Sequence, residues 1–370
     1  MSTPGYVLYG VEASYYAAKI RACLEFKRIA YIERQTSRQV FAAEILPRVG
    51  FAVIPVLVTP ENETVQDTSD MVDLIESRHP QRAVIPQDAA GRVLSYLLEF
   101  LGDEWIKLPA MYYRWHYNND FAIAEFGRNN DPEFAHEEQL RIGAKVAQRF
   151  RGWLEPLGVL PQSYATVEAD YLALLDALDA HFAAHAYLLG GAPTLGDFAF
   201  YGPLYAHQYR DPVSGQLLKA RAPRVAAWIE RLRNGAREAQ PLERLQSPPA
   251  SLLPVLRLLC RDFVPILVTE IAGVQRWLAE QPAHEELPRH CGTQRVRLGR
   301  DTAHEIELPR ALFPYNQWML QRLQDAWQRV SDREQTSVRA TLRGLGAEAL
   351  LDIPITTRVL RREFRLWRAA

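Results

Sequence analysis

Short alternating runs marked by proline fill the first eighty residues, and helical spacing dominates afterwards. Tyr6-Val7-Leu8-Tyr9-Gly10 reads as a strand closed by glycine, and Ser14 to Lys27 as a helix with Ile20, Cys23 and Leu24 on one stripe. Ala30-Tyr31-Ile32-Glu33 predicts a second strand. Val53-Ile54-Pro55-Val56-Leu57 is strand-like but holds a residue that donates no ladder hydrogen bond, so Pro55 belongs at a strand entry. A cis Ile54–Pro55 bond would turn the Ile54 backbone outward as an edge for an extended peptide. Gln66-Asp67-Thr68 then opens the apolar-periodic run around Met71, Val72, Leu74 and Ile75. Orphan N–H groups and the positive dipole end of such a helix suit a carboxylate. Together these elements describe a receptor for a small anionic peptide.

Beyond a proline-bearing connection from Pro80 to Gly91 the strand signals fade. Val93, Leu94, Leu97, Phe100 and Leu101 form a helical stripe, Tyr112 to Tyr117 an aromatic cluster, and Tyr171, Leu174, Leu175, Leu178 and Phe182 a further amphipathic helix. Thr194 with Asp197 three residues on predicts a capping box at a buried helix. Past about residue 240, Leu252 to Leu278 is helical in period but interrupted by Pro254 and Pro265, and the alternation over 294–308 predicts a hairpin. Pro314 to Val330 reads as a strong helix. Arg358, Arg361, Arg362, Arg365 and Arg368 read as a solvated helix face, or as one that docks onto the protein's own acidic surface.

The order strand, helix, strand, proline-entered strand, strand, helix resembles the thioredoxin-like domain of glutathione transferases. The resemblance rests on Leu8-Tyr9-Gly10, a hydroxyl residue opening the first helix, Ile54-Pro55-Val56-Leu57, and Gln66-Asp67-Thr68 before a helix. It implies an α+β protein: a thioredoxin-like domain over 1–82, an all-α domain of the transferase type over 92–238, and a mainly helical C-terminal extension over 239–370. Its function would be conjugation of the glutathione thiolate to a hydrophobic electrophile. Ser14 would stabilise the thiolate, with Tyr9 as the alternative. Ile54 and Pro55 would pair with the cysteinyl unit, Gln66, Asp67 and Thr68 would hold the γ-glutamyl end, and Arg48 would reach the glycyl carboxylate. Tyr16, Tyr112, Tyr113 and Trp115 would wall the second-substrate pocket. Glutathione is then the co-substrate, no metal is needed, and a homodimer is implied. The rival reading is a non-catalytic adaptor that binds a protein partner through its extension. Tyr15, where serine-type relatives often carry proline, leans that way.

Composition narrows the remaining classes. With 370 residues, 48% hydrophobic and 24% charged, the chain can build two or three real cores. A net charge of -1 provides no global field for nucleic acid or acidic membranes. No apolar run approaches the roughly 18 residues of a membrane helix. Cys23, Cys260 and Cys291 show neither a paired motif nor a disulfide framework, which points to the cytoplasm. His181 and His185 lie four apart without a third ligand, so they read as helix-face residues rather than a metal site.

Overall fold

A computed structural model describes residues 5–245 and 247–370. Strands β1 (Tyr6–Gly10), β2 (Tyr31–Gln35), β3 (Val56–Val58) and β4 (Thr64–Gln66) form one sheet in the order β2-β1-β3-β4. The β1–β2 pair is parallel, with Leu8 opposite Glu33, and the β1–β3 and β3–β4 pairs are antiparallel. Side-chain alternation along the pleat divides the strand residues between two layers. Leu8 and Leu57 pack with Ile20, Cys23 and Leu24 of α1 (Tyr15–Lys27) and with Met71, Val72 and Ile75 of α4 (Thr68–Arg78). Tyr9, Val56 and Val58 face a second layer, Ile45 and Val49, around the short helices α2 (Arg38–Val40) and α3 (Leu46–Val49). Helix α1 begins where it does because Ser14 caps it, accepting from the Ala17 N–H at 3.2 Å, and it ends at Arg28 in the left-handed conformation.

The helical part comprises α5 (Ala89–Phe100), α6 (Lys107–His116), α7 (Asn119–Asn130), α8 (His136–Arg151), α9 (Leu154–Leu157), α10 (Tyr164–His181), α11 (Leu195–Pro203), α12 (Pro212–Arg221) and α13 (Pro223–Arg233). Helix α11 lies at its centre and starts with the predicted capping box. The Asp197 carboxylate accepts from the N–H groups of Leu188 and Thr194, both at 2.9 Å, and from Trp228 Nε1 at 3.1 Å. Gly102 permits the close approach of α11: a methyl group there would lie 2.7 Å from the Ala199 backbone.

The extension holds α14 (Leu253–Ala279), the hairpin β5–β6 (Thr293–Leu298 and Ile306–Ala311), α15 (Pro314–Trp327), α16 (Asp332–Gly344) and a last hairpin β7–β8 (Val359–Arg362 and Arg365–Arg368). Two expectations are corrected here. Helix α14 is continuous through both prolines, because Pro254 sits in the first turn, where a missing N–H leaves no bond unmade, and Pro265 is tolerated inside the helix. Arg361, Arg362, Arg365 and Arg368 lie on a β-hairpin rather than a helix, and Arg358 immediately precedes it. The extension is also not an appendage: α15 packs on α5, and α14 on α10.

Candidate functional site

The bend at Pro55 forms where the sequence places it. The Ile54–Pro55 bond is cis, and Pro55 leads directly into β3 beside β4. Gln66 ends β4, and Asp67 caps α4, its carboxylate accepting from the Ser69 N–H at 2.9 Å. Asp67 has φ +86°, a conformation that costs a non-glycine residue on the order of 1–3 kcal/mol and that collects at functional sites. Thr68 is buried in the first turn of the helix. Ser14, half-buried, sits at the mouth of α1, with its hydroxyl also free to donate.

Side chains of the extension meet the tip of α4. The Tyr315 hydroxyl donates to Asp67 Oδ2 at 2.8 Å. Arg361 of β7 donates through Nε to Asp70 at 2.7 Å, and through Nη2 to the carbonyl and side chain of Gln66 at 3.0 and 2.9 Å; its Nη1 lies 3.6 Å from Asp67. Phe364, at the tip of the last hairpin, packs on the layer of Tyr9, Ile45, Val49, Val56 and Val58, as do Phe51, Val53 and Ile54, and the Arg365 guanidinium lies 4.6 Å from the Phe51 ring centre. Burial, reinforced by Asp67, pushes the Asp70 carboxyl up to about 6 despite the pull of Arg361. The helix tip therefore already has its cation.

Behind the tip lies a buried ionic joint between all three parts of the molecule. Lys19 Nζ, fully buried, donates to Glu99 at 2.8 Å and to Asp103 at 2.6 Å. Glu99 also accepts from Ser69 Oγ at 2.7 Å and lies 3.3 Å from Arg322 of α15, which in turn binds Asp73 of α4. Burial alone would raise Glu99, but Lys19 and Arg322 hold it below its ordinary value. Burial and the neighbouring Glu99 charge raise Asp103, outweighing the same lysine.

Other expected site residues lie in different company. Tyr9 donates to Glu44 at 2.8 Å on the α2–α3 side of the sheet, and burial followed by that carboxylate raises its phenol; it is committed there rather than to a thiolate. Arg48 reaches Asn62 at 3.0 Å and Thr64 at 3.4 Å, in the turn joining β3 and β4. Tyr112 and Tyr113 pack on Tyr164, Tyr171 and each other inside the helical part, and Trp115 on Phe126 and Phe150. These three are 7% exposed or less, so the expected aromatic wall is core, not pocket. Tyr16 does lie between the sheet and helical parts, its hydroxyl 3.4 Å from both the Asp103 carbonyl and Glu104. Its phenol is raised well above its ordinary value by burial, then by Tyr15 and Glu104, so it stands as a neutral, half-buried group there. Sequence reasoning missed Tyr315, Phe364, Arg322 and Lys19; the arginine cluster around Arg361 was the one available signal.

Residues 8–83 match the glutathione S-transferase N-terminal domain and residues 161–231 the glutathione S-transferase C-terminal domain. The chain thus resembles glutathione transferases over these two segments, and α14 to β8 lie beyond them. Among solved structures it is similar to the beta-etherase LigF from Sphingobium, at 15% identity and TM-score 0.46 over 62% of this chain and 95% of that one. It is also similar to FzlA from C. crescentus, at 17% identity and TM-score 0.40 over 68% and 92% of the two chains. A glutathione S-transferase from Methylobacterium radiotolerans, in complex with glutathione sulfonate, gives 20% identity and TM-score 0.39 over 66% and 99%. No curated protein sequence matches the chain.

Proposed function

We propose that this protein is a transferase-fold adaptor whose glutathione pocket is shut in its resting form, with the extension as its working part. The observation that carries this reading is the double occupation of the α4 tip by Tyr315 and Arg361. In a conjugating enzyme of this family, Asp67 would take the γ-glutamyl ammonium and Thr68 the adjoining carboxylate. Here a hydroxyl and a guanidinium already stand at that carboxylate. The packing of Tyr112, Tyr113 and Trp115 into the core supports the same reading, because it leaves a hydrophobic electrophile without its expected wall.

The second reading is a glutathione transferase that attacks a hydrophobic electrophile. It is favoured by the cis Ile54–Pro55 bend and by Ser14, whose hydroxyl can accept from Ala17 N–H while donating to a thiolate at the positive end of α1. The two readings part on immobilised glutathione followed by turnover of a generic aryl halide. The adaptor reading expects the full chain to show neither retention nor turnover. Turnover that Ser14→Ala abolishes would establish the enzyme instead.

A further inference from the structure

We propose that the β7–β8 tip is a tethered competitor of glutathione, so that hairpin and tripeptide occupy one pocket in mutual exclusion. The inference rests on the reading of Asp67 and the cis bend as the glutathione pocket.

Charge makes the exclusion chemical as well as steric. The α4 tip presents two adjacent carboxylates, Asp67 and Asp70, and Arg361 is the cation between them. A γ-glutamyl group brings an ammonium to the same place. Both cations cannot sit there together, since like charges within a few ångströms in a partly buried site repel strongly. The steric part comes from Phe364, which packs on the apolar layer of Tyr9, Ile45, Val49, Val56 and Val58 that is also bordered by Ile54, the residue whose backbone would pair with the cysteinyl unit.

The hairpin is built so that its tip can leave while its base stays. The base is anchored on both sides: Gln321 of α15 bonds the N–H and carbonyl of Val359 at 3.0 and 2.8 Å, and the 284–287 segment pairs with β8 through Leu287 N–H to the Leu366 carbonyl at 2.8 Å. Within the hairpin the tip is held by Trp367 Nε1, which donates to the Arg362 carbonyl at 2.8 Å, but its turn is strained. Glu363 and Phe364 have φ +50° and +65°, the geometry of a two-residue turn that favours asparagine and glycine, and both are side chains that disfavour it. A cavity of about 400 Å³, with Trp318, Arg322 and Asp325 among its lining residues, undercuts β7 from the α15 side. The pocket contacts of Arg361 and Phe364 therefore supply what the turn and the packing beneath it do not.

The test uses the full chain. Glutathione affinity is measured by calorimetry for wild type and for Arg361→Ala combined with Phe364→Ala, with circular dichroism and the thermal midpoint showing that the variant folds. Mutual exclusion expects the variant to bind at least tenfold more tightly, because affinity falls by the fraction of molecules whose pocket is open. A second measurement needs no variant: tryptic cleavage after Arg361 and Arg362 in wild type is followed with and without millimolar glutathione. Cleavage is expected to accelerate at least threefold as the tip is displaced. A folded variant with unchanged affinity, or wild-type cleavage indifferent to glutathione, overturns the proposal. Tight binding by wild type would instead refute the closed resting form, while the ratio between variant and wild type still reports on competition.

Discussion

Replacing Lys19 by methionine isolates the ionic joint behind the pocket. It removes the cation shared by Glu99 and Asp103, two carboxylates whose side chains are at most 2% exposed. Breaking a buried pair by deleting one partner costs about 3–5 kcal/mol, because the remaining charge is left unpaired in a poorly solvated place. Arg322 stays 3.3 Å from Glu99, so the loss belongs at the lower end, about 3 kcal/mol, and falls mainly on Asp103. At about 2.1 cal/mol/K of unfolding entropy per residue, a chain of 370 residues loses about 4 °C in its midpoint. The pH dependence gives the more specific check. Burial already raises Asp103, and without Lys19 its folded-state value rises further above that of the unfolded chain. A group raised on folding contributes stability below its unfolded value and loses it as pH climbs through the folded one, at about 1.4 kcal/mol per unit. With Asp103 already pushed up to about 7 in the wild type, the deficit of the variant builds as pH climbs beyond that value, so it is full only near pH 9 and at least halved near pH 5. Asp103→Asn in the same background recovers about half of it, since an amide carries no charge to desolvate. Scanning calorimetry at the two pH values measures both effects. An equal deficit at both, or a fall of less than about 1 °C, would refute the account.

Three further outcomes are expected. Gly143→Ala would put a methyl group 2.0 Å from the Ile123 carbonyl, forcing α7 and α8 apart, and should cost about 1–3 kcal/mol with enhanced amide exchange in those two helices. Arg114→Met strips the buried Asp211 of a two-pronged partner and leaves the carbonyls of Ala13 and Ala206 unmet, a loss of about 3–5 kcal/mol by chemical denaturation. Arg114→Lys should recover little of it, because an ammonium cannot reproduce the guanidinium fork. Ser14→Ala removes an N-cap and should cost about 1 kcal/mol, with no change in aryl halide turnover if the adaptor reading holds.

What could be read in advance were features written within a few residues. The Ile54–Pro55 strand entry, the Ser14 cap, the Thr194–Asp197 capping box and the hairpin near 294–308 each have a local signature, and each is present. The α+β class follows from the switch in period after residue 80. What escaped was tertiary. Tyr315 meets Asp67 across 248 positions and Arg361 meets Gln66 across 295, and no spacing rule reaches so far. The aromatic cluster around Tyr112 misled for a related reason: alternation of rings and polar groups marks a good packing surface as readily as a ligand wall, and neighbours on α10 decided which. Pro265 misled because a proline lowers the odds of a helix without forbidding one when the opposite face is packed.

The distance between Asp67 and its lid residues has a consequence in time. Synthesis runs from the first module to the last at roughly 5–20 residues per second, so the 248 positions from Asp67 to Tyr315 take about 12–50 s to appear. Through that interval Asp67 and Ser69 exist without the residues of α15 that meet them in the finished chain, and Glu99 joins them before α15 does. On the proposed reading, every molecule therefore passes once through a vacant form before the extension closes it.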